Sequence, residues 1–197
     1  EYEAVLLLGK VTDTQDITGT VLEEKDVKVT EEAVRETVLS FVGDYMQIPP
    51  MYSALKVNGK KLCDLAREGK TVERQARPVK ILTIDILDVT LPRVRMRVHC
   101  SKGTYIRTLL EDIAAAMGQK GTMSALRRVT AGVYSEADAH TLEEILAAKE
   151  QGTAALEALM LPVESVFTPL PLLVVEPWVE QHLYNGCPTS RYPAADG

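Results

Sequence analysis

In Arg93-Val94-Arg95-Met96-Arg97-Val98-His99-Cys100-Ser101-Lys102-Gly103-Thr104-Tyr105-Ile106-Arg107-Thr108-Leu109-Leu110, a period of two gives way to a helical period within a few residues. Val94, Met96 and Val98 alternate with Arg93, Arg95 and Arg97, the pattern of a half-buried strand with a cationic solvent face. Ser101 to Thr104 makes the turn. Ile106, Leu109, Leu110, Ile113 and Ala114 then share one face of a helix that ends near Gly118.

The segments on either side extend this strand, turn and helix. Upstream, Arg77-Pro78 opens a β-rich stretch from Val79 to Leu91 that supplies a partner strand, and Tyr2 to Gly9 is another β-leaning run. Asn58-Gly59 is a hairpin signal, because a type I′ turn needs positive φ twice. A short helix through Leu62, Leu65 and Ala66 stops at Gly69. Thr30 caps a helix from about Glu31 to Val42, with Ala33, Val34, Val38, Leu39 and Val42 as its apolar stripe and Gly43 as its stop. Pro49 and Pro50 forbid helix between Gln47 and Ser53, which predicts an extended loop with exposed apolar groups. Downstream, Met123 to Val129 reads as a strand, and Thr141-Leu142-Glu143-Glu144 is a capping box that starts a helix to about Glu150. Prolines at 162, 169, 171 and 177 mark a change of composition and place a boundary near residue 168. The fold class is α/β or α+β: a mixed, mostly antiparallel sheet with helices packed on one side.

The chain has 197 residues, 46% hydrophobic and 25% charged, which excludes wholesale disorder, collagen and coiled coil. Its longest apolar runs, Ala4 to Leu8 and Pro169 to Val175, are far shorter than the roughly 20 residues of a membrane span. Cys63, Cys100 and Cys187 form no Cys-x-x-Cys pair, and His99, His140 and His182 have no ligand spacing, so neither a disulfide framework nor a metal site is expected. These features predict a soluble protein of a reducing cytoplasm. The net charge of −6 hides a lopsided distribution: residues 56 to 128 hold 16 of the 22 Lys and Arg but 7 of the 28 Asp and Glu, a balance of +9 against −15 for the flanks. Such a middle suits a polyanion, and equally suits cationic side chains that only solvate strand and helix faces.

Arg107 falls in the first turn of its helix, where the macrodipole is positive and an arginine is unfavourable by about 0.3–1 kcal/mol. A residue that breaks a local rule points to a carboxylate or other anion brought near by the fold, or to a side chain that simply reaches solvent. Ser101-Lys102-Gly103-Thr104 is no phosphate loop, because it lacks the first glycine and the spacing of G-x-x-x-x-G-K-[ST]; Gly9-Lys10 fails the same test.

Several stretches in one order resemble the TruB family of tRNA pseudouridine synthases. They are Glu1 to Ala4 with Leu8-Gly9, Thr12-Asp13-Thr14-x-Asp16-x-x-Gly19, Gln47 to Lys56 with Gly59 to Leu62, Ala76 to Val79, His99 to Thr108, and Leu126-Arg127-Arg128. The resemblance implies a cofactor-free isomerase that converts the uridine at position 55, in the T loop of tRNA, to pseudouridine. It assigns Tyr2 to stacking on the flipped base, Tyr105 to a second active-site tyrosine, and Arg107 to pairing with the catalytic aspartate. Leu126 matches an apolar residue that packs on the base, for which an ordinary core leucine is an equal alternative. The segment from about 47 to 80 resembles an inserted thumb that clasps the T arm, with Tyr52, Lys56, Lys60 and Lys61, together with Lys102 outside it, as RNA contacts. Eight basic residues against three acidic ones between Lys56 and Lys80 agree with that reading.

The family's aspartate lies in a Gly-x-Leu-Asp-Pro-x-Ala motif, and no Leu-Asp-Pro occurs here. Asp13 and Asp16 sit where short polar residues cap turns, and are not expected to replace it. The resemblance therefore implies part of a longer, monomeric enzyme that is inactive alone, with a catalytic domain over 1–168 and residues 169–197 opening a PUA-type RNA-binding domain. A non-catalytic T-arm binder and a tRNA folding factor stay open as alternatives.

Overall fold

The computed structural model describes residues 1–168, 170–172 and 174–188. They divide into two compact units, Glu1–Asp138 and Ala139–Gly197. In the first unit the chain runs through β1 (Tyr2–Leu8), β2 (Lys10–Thr12), β3 (Val21–Glu24), α1 (Glu31–Ser40), β4 (Gly43–Gln47), β5 (Lys56–Val57), β6 (Lys60–Lys61) and α2 (Leu62–Arg67). It continues through β7 (Arg77–Thr90), β8 (Arg93–Cys100), α3 (Ile106–Ala116), β9 (Gly121–Arg128), β10 (Thr130–Ala131) and β11 (Tyr134–Ser135).

β4, β7, β8, β1 and β9 form one sheet in that order, and every ladder in it is antiparallel. A single parallel bridge joins Asp16 to Met123. The alternation expected for residues 93 to 98 is present: Val94, Met96 and Val98 are fully buried, and the arginines between them face outward. The buried residues of the strands make one core with Val34 and Val38 of α1 and Ile106, Leu109, Leu110, Ile113 and Ala114 of α3, so both helices cover the same face. Gly121 permits the closest approach in this layer, since a Cβ there would lie 2.5 Å from the Ala114 Cβ and 2.8 Å from Leu6 Cδ1.

Local signals act where they were expected. Thr30 Oγ1 accepts the Ala33 amide at 3.3 Å. Asn58 and Gly59 take φ of 51° and 81°, the pair that a type I′ hairpin between β5 and β6 requires. Two expectations shift. Leu39 and Val42 are 50% and 43% exposed: α1 ends at Ser40, short of Val42, and its buried residues are Val34 and Val38. Between Gln47 and Ser53 only Ile48 is exposed; Pro49, Pro50 and Ser53 are buried, and Gln47 at the strand end is 1% exposed.

The second unit holds α4 (Leu142–Gln151), α5 (Thr153–Glu157) and α6 (Pro177–Tyr184). Both halves of the Thr141–Glu144 capping box form at the start of α4. Among the described residues no helix is long and apolar enough to cross a membrane.

Candidate active site

The turn from β8 into α3 is tied to β7 and directs the helix start. Ser101 N–H donates to the Lys80 carbonyl at 2.8 Å, Ser101 Oγ accepts from Lys80 N–H at 2.9 Å, and Thr104 Oγ1 donates to the Ser101 carbonyl at 2.9 Å. Tyr105 is the N-cap residue of α3, without a side-chain cap. The buried Gln47 holds this residue from the end of β4: its Oε1 accepts the Tyr105 amide at 2.8 Å and its Nε2 donates to the Tyr105 carbonyl at 3.0 Å. A carboxamide thus pairs with one residue's main chain as a neighbouring strand would, and holds Tyr105 with little freedom.

Arg107, two residues on, reaches two loops at once. Its Nη1 donates to the Thr14 carbonyl at 3.0 Å and its Nη2 to the Tyr52 carbonyl at 2.9 Å. No carboxylate among the described residues pairs with it, so the rule-breaking arginine is held by neutral acceptors and keeps its charge uncompensated. Two of its five donors are used, and three remain for a planar anion. Asp13 and Asp16, the nearest acids in sequence to Thr14, act as turn caps. Asp13 Oδ1 accepts the Thr20 amide at 2.8 Å, while Asp16 Oδ1 accepts the Thr18 amide at 2.9 Å and the Thr18 hydroxyl at 2.7 Å.

Further along α3, Asp112 accepts a hydrogen bond from the Tyr45 hydroxyl, and Glu111 accepts one from Gln15 Nε2. Burial pushes the Glu111 carboxyl up from the ordinary value, and burial followed by the Asp112 carboxylate pushes the Tyr45 phenol up. Burial also raises the Cys100 thiol, which leaves that cysteine a poor nucleophile.

The remaining expected residues occupy two places. Tyr2 opens β1 opposite Val98 on one side and Arg128 on the other, and the Arg128 guanidinium carbon lies 5.2 Å from the Tyr2 ring centroid. Leu126 pairs with Ala4 on the same edge strand and is 43% exposed, which excludes the plain core-leucine alternative. β1, β8 and β9 therefore bring Tyr2, Leu126 and Arg128 to the end of the sheet from which Tyr105 and Arg107 follow. Elsewhere, β5 and β6 set Lys56 opposite Lys61, with Lys60 opposite Val57. Lys56, Lys60, Lys61 and Lys102 are all exposed, and none forms an ion pair among the described residues.

This hairpin is anchored rather than loose. Leu62 N–H donates to the Leu55 carbonyl at 2.7 Å, Cys63 N–H to the Ser53 carbonyl at 3.0 Å, and Arg74 Nη1 to the Pro49 carbonyl at 3.1 Å. A cavity of about 190 Å³ between Gln47, Leu55, Arg77, Lys102 and Tyr105 joins the thumb base to the start of α3. Another concavity, about 920 Å³, lies at the opposite end of the sheet around Leu8, Lys25 and Pro92, away from these residues. Among the described residues no group of three or more His, Cys, Asp or Glu could hold a metal ion.

Sequence reasoning missed Gln47 and Gln15 as site residues. Gln47 opens the Gln47-to-Lys56 stretch of the resemblance, which could have drawn notice to it, whereas Gln15 is an unspecified position of its motif and is set apart only by a left-handed φ of 62°, invisible in sequence.

An antiparallel sheet with helices on one face and a basic arm inserted between β4 and β7 is a pseudouridine-synthase-type fold. In agreement, the chain superposes on a solved Cbf5-Nop10-Gar1 complex with a TM-score of 0.68 at 23% identity, over 94% of this chain and 48% of that one. A structure of an H/ACA RNP bound to a substrate RNA containing 2′-deoxyuridine gives 0.65 at 20% identity, over 94% and 47%. Family models place the chain more narrowly. Residues 1–106 match the TruB family pseudouridylate synthase N-terminal domain, and residues 107–168 the tRNA pseudouridylate synthase B C-terminal domain. The chain belongs to the TruB family. It is 41% identical over 186 residues to tRNA pseudouridine synthase B of Alkaliphilus oremlandii (strain OhILAs), covering 94% of this chain and 60% of the relative. It is 49% identical over 174 residues to the protein of that name from Ralstonia nicotianae (strain ATCC BAA-1114 / GMI1000), covering 86% and 54%. The chain thus spans little more than half the length of these relatives.

Proposed function

We propose that this chain carries the RNA-facing part of an isomerase that converts uridine to pseudouridine in the T loop of tRNA, at position 55. The observation that carries the reading is Arg107: a guanidinium fastened by two main-chain carbonyls, without a counter-ion, beside the Tyr105 N-cap in a chain of this family. In the reaction the N1–C1′ bond breaks, the base turns, and a C5–C1′ bond forms while C5 loses its proton and N1 gains one. Atoms balance without a cofactor. A carboxylate must act on the nucleotide, and Arg107 is placed to keep it ionised. Tyr2 offers the π-face for the flipped base, Leu126 an apolar edge, and Tyr105 the second ring. Lys56, Lys60, Lys61 and Lys102 take the phosphates, and Tyr52 fixes the thumb base to Arg107.

The 197 residues contain no Leu-Asp-Pro, and Asp13 and Asp16 are engaged as caps. We therefore read the chain by itself as a T-arm binder without turnover. The same reading assigns residues 1–168 to the catalytic domain, with its thumb at about 47–80, and 169–197 to the start of a PUA-type domain; positions 169, 173 and 189–197 lie outside the described residues. It takes the protein as a cytoplasmic monomer.

The test is a salt titration of binding to a tRNA T-arm hairpin and to an unstructured RNA of equal length, with a pseudouridine assay on the bound hairpin. Hairpin-selective binding with a steep salt slope and no product is the expected outcome. Equal, weak binding to both RNAs would remove the T-arm reading, and product formation would show that a carboxylate of this chain does the chemistry.

A further inference from the structure

The geometry points to Gln15 as the residue that positions the Arg107 guanidinium, a role that rests on the site reading above. Among the described residues two other than glycine have positive φ, Asn58 at 51° and Gln15 at 62°. Asn58 is explained by its hairpin. Gln15 lies in the loop between β2 and β3, where no two-residue turn demands that conformation. A side-chain-bearing residue keeps it only when its surroundings over-determine it.

Those surroundings are specific. The Gln15 carbonyl accepts from Met123 N–H of β9 at 3.1 Å. Its carboxamide lies along α3: Oε1 accepts from the Thr108 hydroxyl at 2.9 Å, and Nε2 donates to the Glu111 carboxylate. Thr108 and Glu111 are three residues apart, so they present one helix face to one side chain. Gln15 is therefore a staple between the edge strand and the helix that carries Arg107. The peptide unit before it does the positioning. Its N–H is the Gln15 amide, 3.4 Å from the Thr12 carbonyl, and its oxygen is the Thr14 carbonyl that receives Arg107 Nη1 at 3.0 Å. The φ of Gln15 sets the plane of that peptide, and the staple sets φ. The turn itself has other supports, in the caps from Asp13 and Asp16 and the Thr12 hydroxyl bond to the Asp16 carbonyl at 2.8 Å. Removing the carboxamide leaves a turn in place but frees the Thr14 carbonyl to rotate off the guanidinium.

The experiment uses the 197-residue chain and reads nitrogen-detected NMR signals of the Arg107 guanidinium, identified by their loss in Arg107→Lys. Two carbonyl bonds slow rotation about the Cζ–Nε bond, so the wild-type chain gives resolved Nη signals. In Gln15→Met, which keeps the side-chain volume, these merge; Gln15→Gly, which relieves the backbone strain but lacks the carboxamide, behaves alike. Thermal melting establishes that each variant is folded, and Thr108→Ala, which removes a single bond, supplies the same readout should the Gln15 variants fail to fold. Resolved Nη signals in a folded Gln15→Met or Gln15→Gly chain would overturn the assignment. T-arm hairpin affinity falls about 10-fold in Gln15→Met with an unchanged salt slope, since one bond to a charged group is lost while the phosphate contacts stay. Merged signals with wild-type affinity would overturn the functional half of the proposal. Failure of the wild-type chain to bind the hairpin touches the T-arm reading and leaves the NMR result standing.

Discussion

The thumb and the outer face of the sheet are both basic in sequence, yet they hold their charge differently. In the thumb, Lys56 and Lys61 stand opposite each other across a two-strand hairpin, and Lys60 beside them is exposed and unpaired. Like charges set opposite one another cost stability, an arrangement that an incoming polyanion relieves. On the sheet, Arg95 and Arg97 both bond the Glu3 carboxylate, at 2.9 and 2.6 Å, and Arg127 bonds Glu136 at 2.6 Å. Arg95 and then Arg97 hold the Glu3 carboxyl at a pKa of about 2. Charge that is already neutralised within the fold adds little to a polyanion's footprint, so the +9 of residues 56 to 128 overstates the free positive charge.

The two regions also differ in what supports them, and that difference yields the largest expected effect. Leu6 is fully buried in the core beneath the sheet, whereas Leu62 and Leu65 are the buried apolar residues of α2 in the thumb. Leu6→Ala is expected to lower global stability by about 2–5 kcal/mol in urea unfolding. Leu62→Ala leaves that midpoint nearly in place and instead weakens hairpin binding; equal losses of global stability would mean that thumb and sheet unfold as one.

Next in size, Lys60→Glu with Lys61→Glu should reduce affinity for a T-arm hairpin about 100-fold at low salt, while Arg95→Gln with Arg97→Gln changes it less than about 3-fold. Fluorescence anisotropy on both pairs checks this, and similar losses would erase the distinction drawn between the regions. A smaller effect is expected at the hairpin tip. Gly59 has φ of 81° with open space around it, so Gly59→Ala meets only backbone strain, about 1 kcal/mol, and lowers RNA affinity a few-fold without moving the unfolding midpoint.

The smallest effect is one of pH. The folded carboxyl of Glu3 lies below its ordinary value of 4.5, so its contribution is complete above about 4.5 and is lost as pH falls towards about 2. Glu3→Gln should flatten the stability profile in that window and, because it releases Arg95 and Arg97 from their shared carboxylate, strengthen RNA binding at neutral pH slightly, which melting curves between pH 2 and 6 together with one titration can measure.

Much of this architecture was legible residue by residue. Asn58-Gly59 implied its turn, Thr141 and Glu144 their capping box, and Val94, Met96 and Val98 the buried face of β8, because each signal depends on near neighbours in the chain. The family resemblance drew Tyr2, Tyr105, Arg107 and Leu126 into one site; the register of β1 with β8 and β9 sets Tyr2 opposite Val98 and Arg128, and Leu126 opposite Ala4. Illegible were Gln47 and Gln15, whose roles rest on bonds to Tyr105, Thr108 and Glu111 that span 58, 93 and 96 residues. The exposure of Leu39 was equally hidden, since helical spacing shows which residues share a face and not how much of that face is covered, and so was the end of α1 at Ser40, before Val42.

Periodicity, caps, turn residues and family motifs by themselves determined the class of fold, the strands β1, β7, β8 and β9 with the helices α1 to α4, and where basic residues are dense, but not β2, β3 or the sheet-edge strand β4. Only the tertiary structure decided which cations are free and what holds Arg107. Glu3 meets Arg95 and Arg97 across 92 and 94 residues of chain, and Arg107 meets Thr14 across 93. The reason is physical: local conformation follows from sterics and hydrogen bonds within a few residues, whereas the state of a charge is set by whichever distant group strand register and loop closure bring within about 3 Å of it.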